Sequence, residues 1–145
     1  RKDLNSKTRK FDHTQVDKIY FGTSNPNLGY YEYIPLAKNK MVLFKLIRNG
    51  KVKLYTRKFK KQVRTGFSDD VVNHTEEVTV RQYFIKRNNE PYATEVFYNS
   101  DYRSFKNNVK KYFSDCEDIV SYIENDIYEE FDIIQIVEDY NLLCE

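Results

Sequence analysis

The sequence predicts an α+β fold, an antiparallel twisted β-sheet of five or six strands followed by about three short C-terminal helices. Two observations carry this. Up to about residue 99 the apolar residues alternate or run in short blocks between turn residues. From about residue 100 they recur at helical spacing. Aromatic residues add weight: they make up 16% of the chain, thirteen Tyr and ten Phe with no Trp, and flat rings suit a pleated surface. With 145 residues the chain fits a single domain with a sizeable core. Residues 1–15 read as a polar, flexible arm or the end of a truncated element, 16–99 as the β-rich part and 100–145 as the helical part.

The strands follow in order. Lys18-Ile19-Tyr20-Phe21 is short, and the Thr-Ser-Asn-Pro-Asn run after Gly22 is a loop. Tyr30 to Leu36 comes next, with Pro35 suited to an edge or a strand end. Met41 to Ile47 and the run Val52, Leu54, Tyr55 flank Asn49-Gly50. That predicts a hairpin whose tight turn exploits the positive φ angles Asn and Gly tolerate. Residues 62–75, with Gly66 and Ser68-Asp69-Asp70, read as a loop. Val78, Val80, Tyr83, Phe84 and Ile85 form a strand with an expected bulge, because the alternation changes phase between Val80 and Tyr83. Asn88-Asn89-Glu90-Pro91 turns the chain, and Tyr92 to Tyr98 pairs back.

The helices follow. Tyr102, Phe105, Val109, Tyr112 and Phe113 fall on one helical face. Ser114-Asp115-Cys116-Glu117 has the form of a capping box for a second helix, with Ile119, Val120, Ile123 and Ile127 as its stripe. Asp132 suits the N-cap of a third, with Gln135 at the third helical position and Phe131 against Ile136 as a hydrophobic staple. Its stripe is Ile133, Ile136, Val137, Tyr140 and Leu143.

Charge is unevenly placed. The net charge is +2, yet residues 1–66 hold seventeen Lys and Arg against four acids, and residues 67–145 hold seven against eighteen. The segment 114–145 carries eleven acids and no Lys or Arg. Either the halves neutralise one another and face solvent, or a basic surface meets an anionic partner. No stretch has the eighteen or so apolar residues a membrane span needs, and the polar start is no signal peptide.

The two cysteines, Cys116 and Cys144, fall at the start of the second helix and the end of the third. In an antiparallel helical pair these ends lie together, which makes Cys116 and Cys144 a disulfide candidate. Reduced core thiols are the alternative. Metal binding with His13 and His74 lacks any ligand spacing.

Short motifs add a resemblance. Asn49-Gly50-Lys51-Val52-Lys53-Leu54-Tyr55, Tyr83-Phe84-Ile85-Lys86-Arg87-Asn88-Asn89-Glu90, Lys111-Tyr112-Phe113-Ser114-Asp115-Cys116, Ile136-Val137-Glu138-Asp139-Tyr140-Asn141 and Cys144 together resemble small secreted or cell-envelope proteins of Bacteroidota bacteria. The similarity covers roughly residues 40–145. This chain has Glu117-Asp118 where that group often has Pro-Glu. The resemblance implies further N-terminal strands behind a signal peptide and a secreted, periplasmic or outer-envelope location, but no activity.

Catalytic patterns are not found. Four scattered Gly exclude a dinucleotide fingerprint, and His13 and His74 stand in polar segments without a nucleophile or acid at catalytic spacing. Asp69-Asp70 and Glu76-Glu77 lack the alternating oxygen ligands of a calcium loop. The expectation is a non-catalytic protein without cofactors, binding an unidentified protein or anionic envelope component through its sheet. Lys51, Lys53, Tyr55, Arg57, Lys58, Phe59, Lys60, Lys61 and Arg64 are the candidate anion-binding surface. The rival is a nucleic-acid-binding domain using the basic aromatic strand 51–64, where cations neutralise phosphates and rings stack on bases.

Overall fold

The computed structural model describes residues 8–21, 29–65, 74–96 and 101–144. Six antiparallel strands precede three helices: β1 (Lys18–Tyr20), β2 (Tyr30–Ala37), β3 (Lys40–Arg48), β4 (Val52–Thr65), β5 (His74–Arg87), β6 (Thr94–Val96), α1 (Tyr102–Tyr112), α2 (Glu117–Glu124) and α3 (Ile133–Leu143). Strand order in the sheet equals chain order. The loop expected over 23–27, the centre of the 62–75 loop, Tyr98, Ser100 and the first seven residues of the arm lie outside the described residues.

Three local expectations are corrected in the sheet. The loop assigned to 62–75 is narrower, because β4 continues to Thr65 and β5 resumes at His74. Val63, Val78 and Val80 keep the alternation going among the charges, so pairing persists. No bulge interrupts β5: the register runs unbroken from Val52↔Arg87 to Thr65↔His74. Bulges occur instead between Pro35 and Ala37 and between Leu46 and Arg48. The phase change between Val80 and Tyr83 reflects burial on both faces, with Phe84 in one cluster and Ile85 in the other. Finally, no described glycine has positive φ. Gly50 is needed for space: a Cβ there would lie 2.5 Å from the Asn141 side chain.

The sheet thus buries two clusters. On the helix side, Val52, Leu54, Ile85 and Val96 pack with residues of all three helices, including Phe105, Ile119 and Val137. On the other side, Ile34, Phe44, Tyr55 and Phe84 form a smaller core, with the Phe44 and Phe84 rings edge-on at 4.6 Å. Ala93 N–H donates to the Pro35 carbonyl at 3.0 Å. Ala93 leads directly into β6, which lies four strand spacings, roughly 19 Å in a flat sheet, from β2, so this bond requires the sheet to curl around the smaller core.

β3 meets β4 only as far as Lys45↔Thr56, and β6 meets β5 only at Tyr83–Ile85. Beyond those points β4 and β5 continue as a two-stranded ribbon, Lys58–Thr65 against His74–Arg81, roughly 25 Å long at strand rise.

Side chains cap two of the three helix N-termini: Asp132 on α3 is expected from the sequence, whereas Asp101 on α1 is not. Asp101 accepts from Ser104 N–H at 2.9 Å, and Asp132 accepts from Gln135 N–H at 3.1 Å. The Ser114 capping box does not form: α2 begins at Glu117, and its N-cap is Cys116 without a side-chain cap bond. The turn between α1 and α2 occupies those residues, with Cys116 N–H bonded to the Phe113 carbonyl. Ile127 and Leu143 are exposed, and Tyr128 and Cys144 are buried in their place. The cause is that α2 stops at Glu124, ahead of Ile127, while α3 stops at Leu143 and Cys144 turns inward.

Candidate functional site

Alternation in β4 sorts the basic strand onto two faces. Residues directly opposite one another share a face, and Tyr55 pairs with Phe84 of the smaller core. Lys53, Tyr55, Arg57, Phe59 and Lys61 therefore point to that side. Lys58, Lys60 and Arg64 point to the helix side. Lys51 stands in the β3–β4 turn and donates to the Cys144 carbonyl. The nine candidate residues do not share one surface.

Most of the first group is engaged within the fold. Glu32 accepts the Tyr55 hydroxyl at 3.0 Å and lies 3.6 Å from Lys53 and 3.8 Å from Lys18. Burial, followed by the Glu32 charge, pushes the Tyr55 phenol far up. Arg57 lies over the Phe44 and Phe59 rings at 5.4 and 5.3 Å and bonds Gln82 at 2.7 Å.

The helix-side group is less satisfied. Lys58 sits directly opposite Arg81, a like-charge pairing that opposes sheet stability. Lys60 reaches Glu77 at 2.5 Å. Among the described residues Lys58 and Arg64 form no ion pair, nor does Lys61 on the other face. This side opens into a cleft of about 910 Å³ between the sheet and α3, lined by Tyr31, Lys45, Thr56, Lys58, Arg81 and Tyr83, with Arg48 and Ile134 at its helical wall. Arg81 donates to the Tyr83 hydroxyl at 3.3 Å, and Arg48 pairs with Glu138 of α3. Tyr31, Lys45, Arg48, Arg81 and Tyr83 escape a linear search because they come from three strands. Taking alternate residues of β4 and matching them to β5 would have found Arg81 and Tyr83.

The other concentration of polar groups is structural. Cys116 and Cys144 stand at disulfide distance, with sulfurs 1.96 Å and Cα atoms 5.8 Å apart. Beside them Arg87 donates to Asp115 at 2.8 Å and to the Tyr112 carbonyl at 3.0 Å, pairs with Glu90 at 3.3 Å, and lies 4.4 Å over the Tyr112 ring. Tyr112 donates to Glu90 at 2.8 Å and Tyr140 to Asp115 at 2.6 Å. One guanidinium thereby fastens the end of β5 to α1 and to the turn before α2, and, through the Tyr140 hydroxyl at 3.4 Å, to α3. Asn141 completes the closure, accepting from Val52 N–H and donating to the Val52 carbonyl, both at 2.8 Å. His13 lies in the exposed N-terminal segment, 6.0 Å from the Tyr33 ring, and His74 begins β5 instead of lying in a loop. Among the described residues no helix is long and apolar enough to cross a membrane.

Among the described residues, few ion pairs join the two charge-segregated halves of the chain. Arg48–Glu138 and Lys60–Glu77 cross between them, whereas Lys106–Asp126 and Lys110–Glu124 join α1 to the acidic segment from within the second half. Mutual neutralisation therefore accounts for little of the basic surplus. Comparison of the chain with protein-family models, curated proteins and solved structures finds no match.

Proposed function

We propose that this is a non-catalytic binding protein of the cell envelope or the extracellular space, which uses its sheet to hold an anionic partner. The observation that carries this is the placement of Lys58 directly opposite Arg81 beside the cleft. A fold selected only for stability gains nothing from like charges across a strand pair; a counter-charge from outside turns the cost into attraction. The close cysteine pair fits an oxidising compartment, where disulfides persist.

The rival, a nucleic-acid-binding domain using residues 51–64, loses support from the pleat. Tyr55 and Phe59 face away from Lys58, Lys60 and Arg64. On their own face Tyr55 is buried, Arg57 lies over the Phe59 ring, and Lys61 is left, among the described residues, as the cation without an ion pair beside them.

The test is elution from a sulfonate surface. The full chain should need clearly more salt than control proteins of net charge +2, because its cations are concentrated. Elution with those controls would overturn the reading.

A further inference from the structure

The most informative face is the helix-side face of the ribbon. From β4 it carries Lys58, Lys60, Gln62 and Arg64; from β5 it carries Thr75, Glu77, Thr79 and Arg81. Every one of these is polar. The opposite face carries Phe59, Val63, Val78 and Val80. The polar face leads at its inner end into the cleft, where Lys45, Thr56 and the tyrosines Tyr31 and Tyr83 continue it. Residues of one parity recur every 6–7 Å or so along a strand. Lys58, Lys60 and Arg64 therefore form a row of cations extended over roughly 20 Å, running out from the cleft.

This shape and chemistry discriminate among anions. A lipid surface is bound by cations flanked by apolar side chains that enter the headgroup boundary, and this face has none. Single-stranded nucleic acid needs open aromatic faces on which bases stack. The ribbon face has no ring, and the rings of the cleft are engaged. Tyr83 packs against the main core and takes a bond from Arg81 on its hydroxyl, Tyr31 meets the Phe21 ring edge-on at 5.7 Å, and Tyr30 is stacked on Tyr20 at 4.4 Å. What the face offers is a line of cations, Lys58, Arg64 and Arg81, with Lys60 held by Glu77, interspersed with hydroxyl and amide groups: Thr56, Gln62, Thr75 and Thr79. Such a set matches a linear ligand that alternates charge with hydroxyls. Resting on the anionic-partner reading above, we infer that the ribbon face and its cleft bind an acidic polysaccharide, a chain bearing carboxylate or sulfate groups.

The experiment titrates the full chain with heparin as a sulfated probe and polygalacturonate as a carboxylated one. Single-stranded poly(dT), duplex DNA and phosphatidylcholine vesicles containing phosphatidylglycerol are run in parallel. The expected result is salt-sensitive binding to at least one polysaccharide, weakened about tenfold in the Lys58→Gln/Arg81→Gln double variant, since two charge-assisted contacts at a solvent-screened surface are lost. The Lys38→Gln/Lys61→Gln double variant removes the same charge from exposed positions elsewhere and should bind within about twofold of the parent, because those cations lie outside the inferred path. Equal losses in both variants would overturn the inference, reducing the binding to net charge. Binding to nucleic acid or vesicles alone would overturn the polysaccharide while leaving an anionic partner standing. No binding to any probe at low salt would overturn both.

Discussion

At the scale of single residues, Gly50 and Asn141 show how a correct element can be assigned for an incomplete reason. Asn49-Gly50 marks a turn in the sequence, and a turn is there. The constraint on Gly50, however, is the Asn141 amide packed against its Cα, and a partner 91 positions away leaves no local signal. Asn141 is fixed by two bonds to Val52, so it cannot swing aside without leaving backbone groups unpaired. Gly50→Ala should destabilise the fold by about 1–3 kcal/mol in urea unfolding, and Asn141→Ala by a similar amount. In a double-mutant cycle the two losses should be strongly less than additive, because a shortened residue 141 leaves room for the new methyl. Simple additivity would dissociate Gly50 from Asn141.

At the scale of elements, period alone located the helices, and the Asp132 cap on the Gln135 amide was legible because capping is local. The box at Ser114 was a false signal: the right residue types were present, but the turn between α1 and α2 had first claim on them. Strand lengths were less legible. Gln62 to Thr65 reads as loop by polarity, yet it is strand because β5 offers a matching alternation that a linear reading does not weigh. Among the described residues, neither a third strand nor a packed helix, which stabilise a hairpin in water, joins the resulting ribbon. Hydrogen exchange should therefore divide β4 and β5 internally. Amides of 58–64 and 75–81 should exchange faster, through local opening, than those of 52–56 and 83–87. Uniform protection along both strands would mean that the ribbon is supported by something besides its own pairing.

At the scale of the whole molecule, two linkages dominate. Joining Cys116 to Cys144 closes a loop with a sequence separation of 28, worth about 3.5 kcal/mol in the chain-entropy account. The oxidised chain should resist urea by that order relative to the chain treated with reductant. Two titratable thiols in material taken from its native compartment would refute the bond. The second linkage concerns tyrosine. Burial pushes the pKa of Tyr55, Tyr112, Tyr128 and Tyr140 up, reinforced by Glu32, Glu90, Asp139 and Asp115 respectively. The Tyr128 hydroxyl is buried without hydrogen-bond geometry to any described group, although the Asp139 carboxylate is near enough to oppose its ionisation. These phenols have folded pKa values above their unfolded ones. Their contribution is complete below the unfolded value of about 10 and is lost as pH rises through the folded values. Stability should stay level through mildly alkaline pH and then fall, with a fraction of the tyrosinate signal appearing only as the chain unfolds. Titration of every tyrosine near its ordinary value would contradict this. The fold class was legible at this scale because composition and period are global averages. The cleft was not, because its lining comes from separate strands and is brought together only by register and curl.

The equality of strand order and chain order has a kinetic consequence. Each strand finds its partner a short loop away, so the sheet can zip from either hairpin at little entropic cost. The bonds Asn141–Val52 and Arg48–Glu138 instead span 89 and 90 residues and depend on a surface that the sheet must first provide. Folding should run in that direction: strands first, α3 docking last, and Cys144 delivered to Cys116 only then.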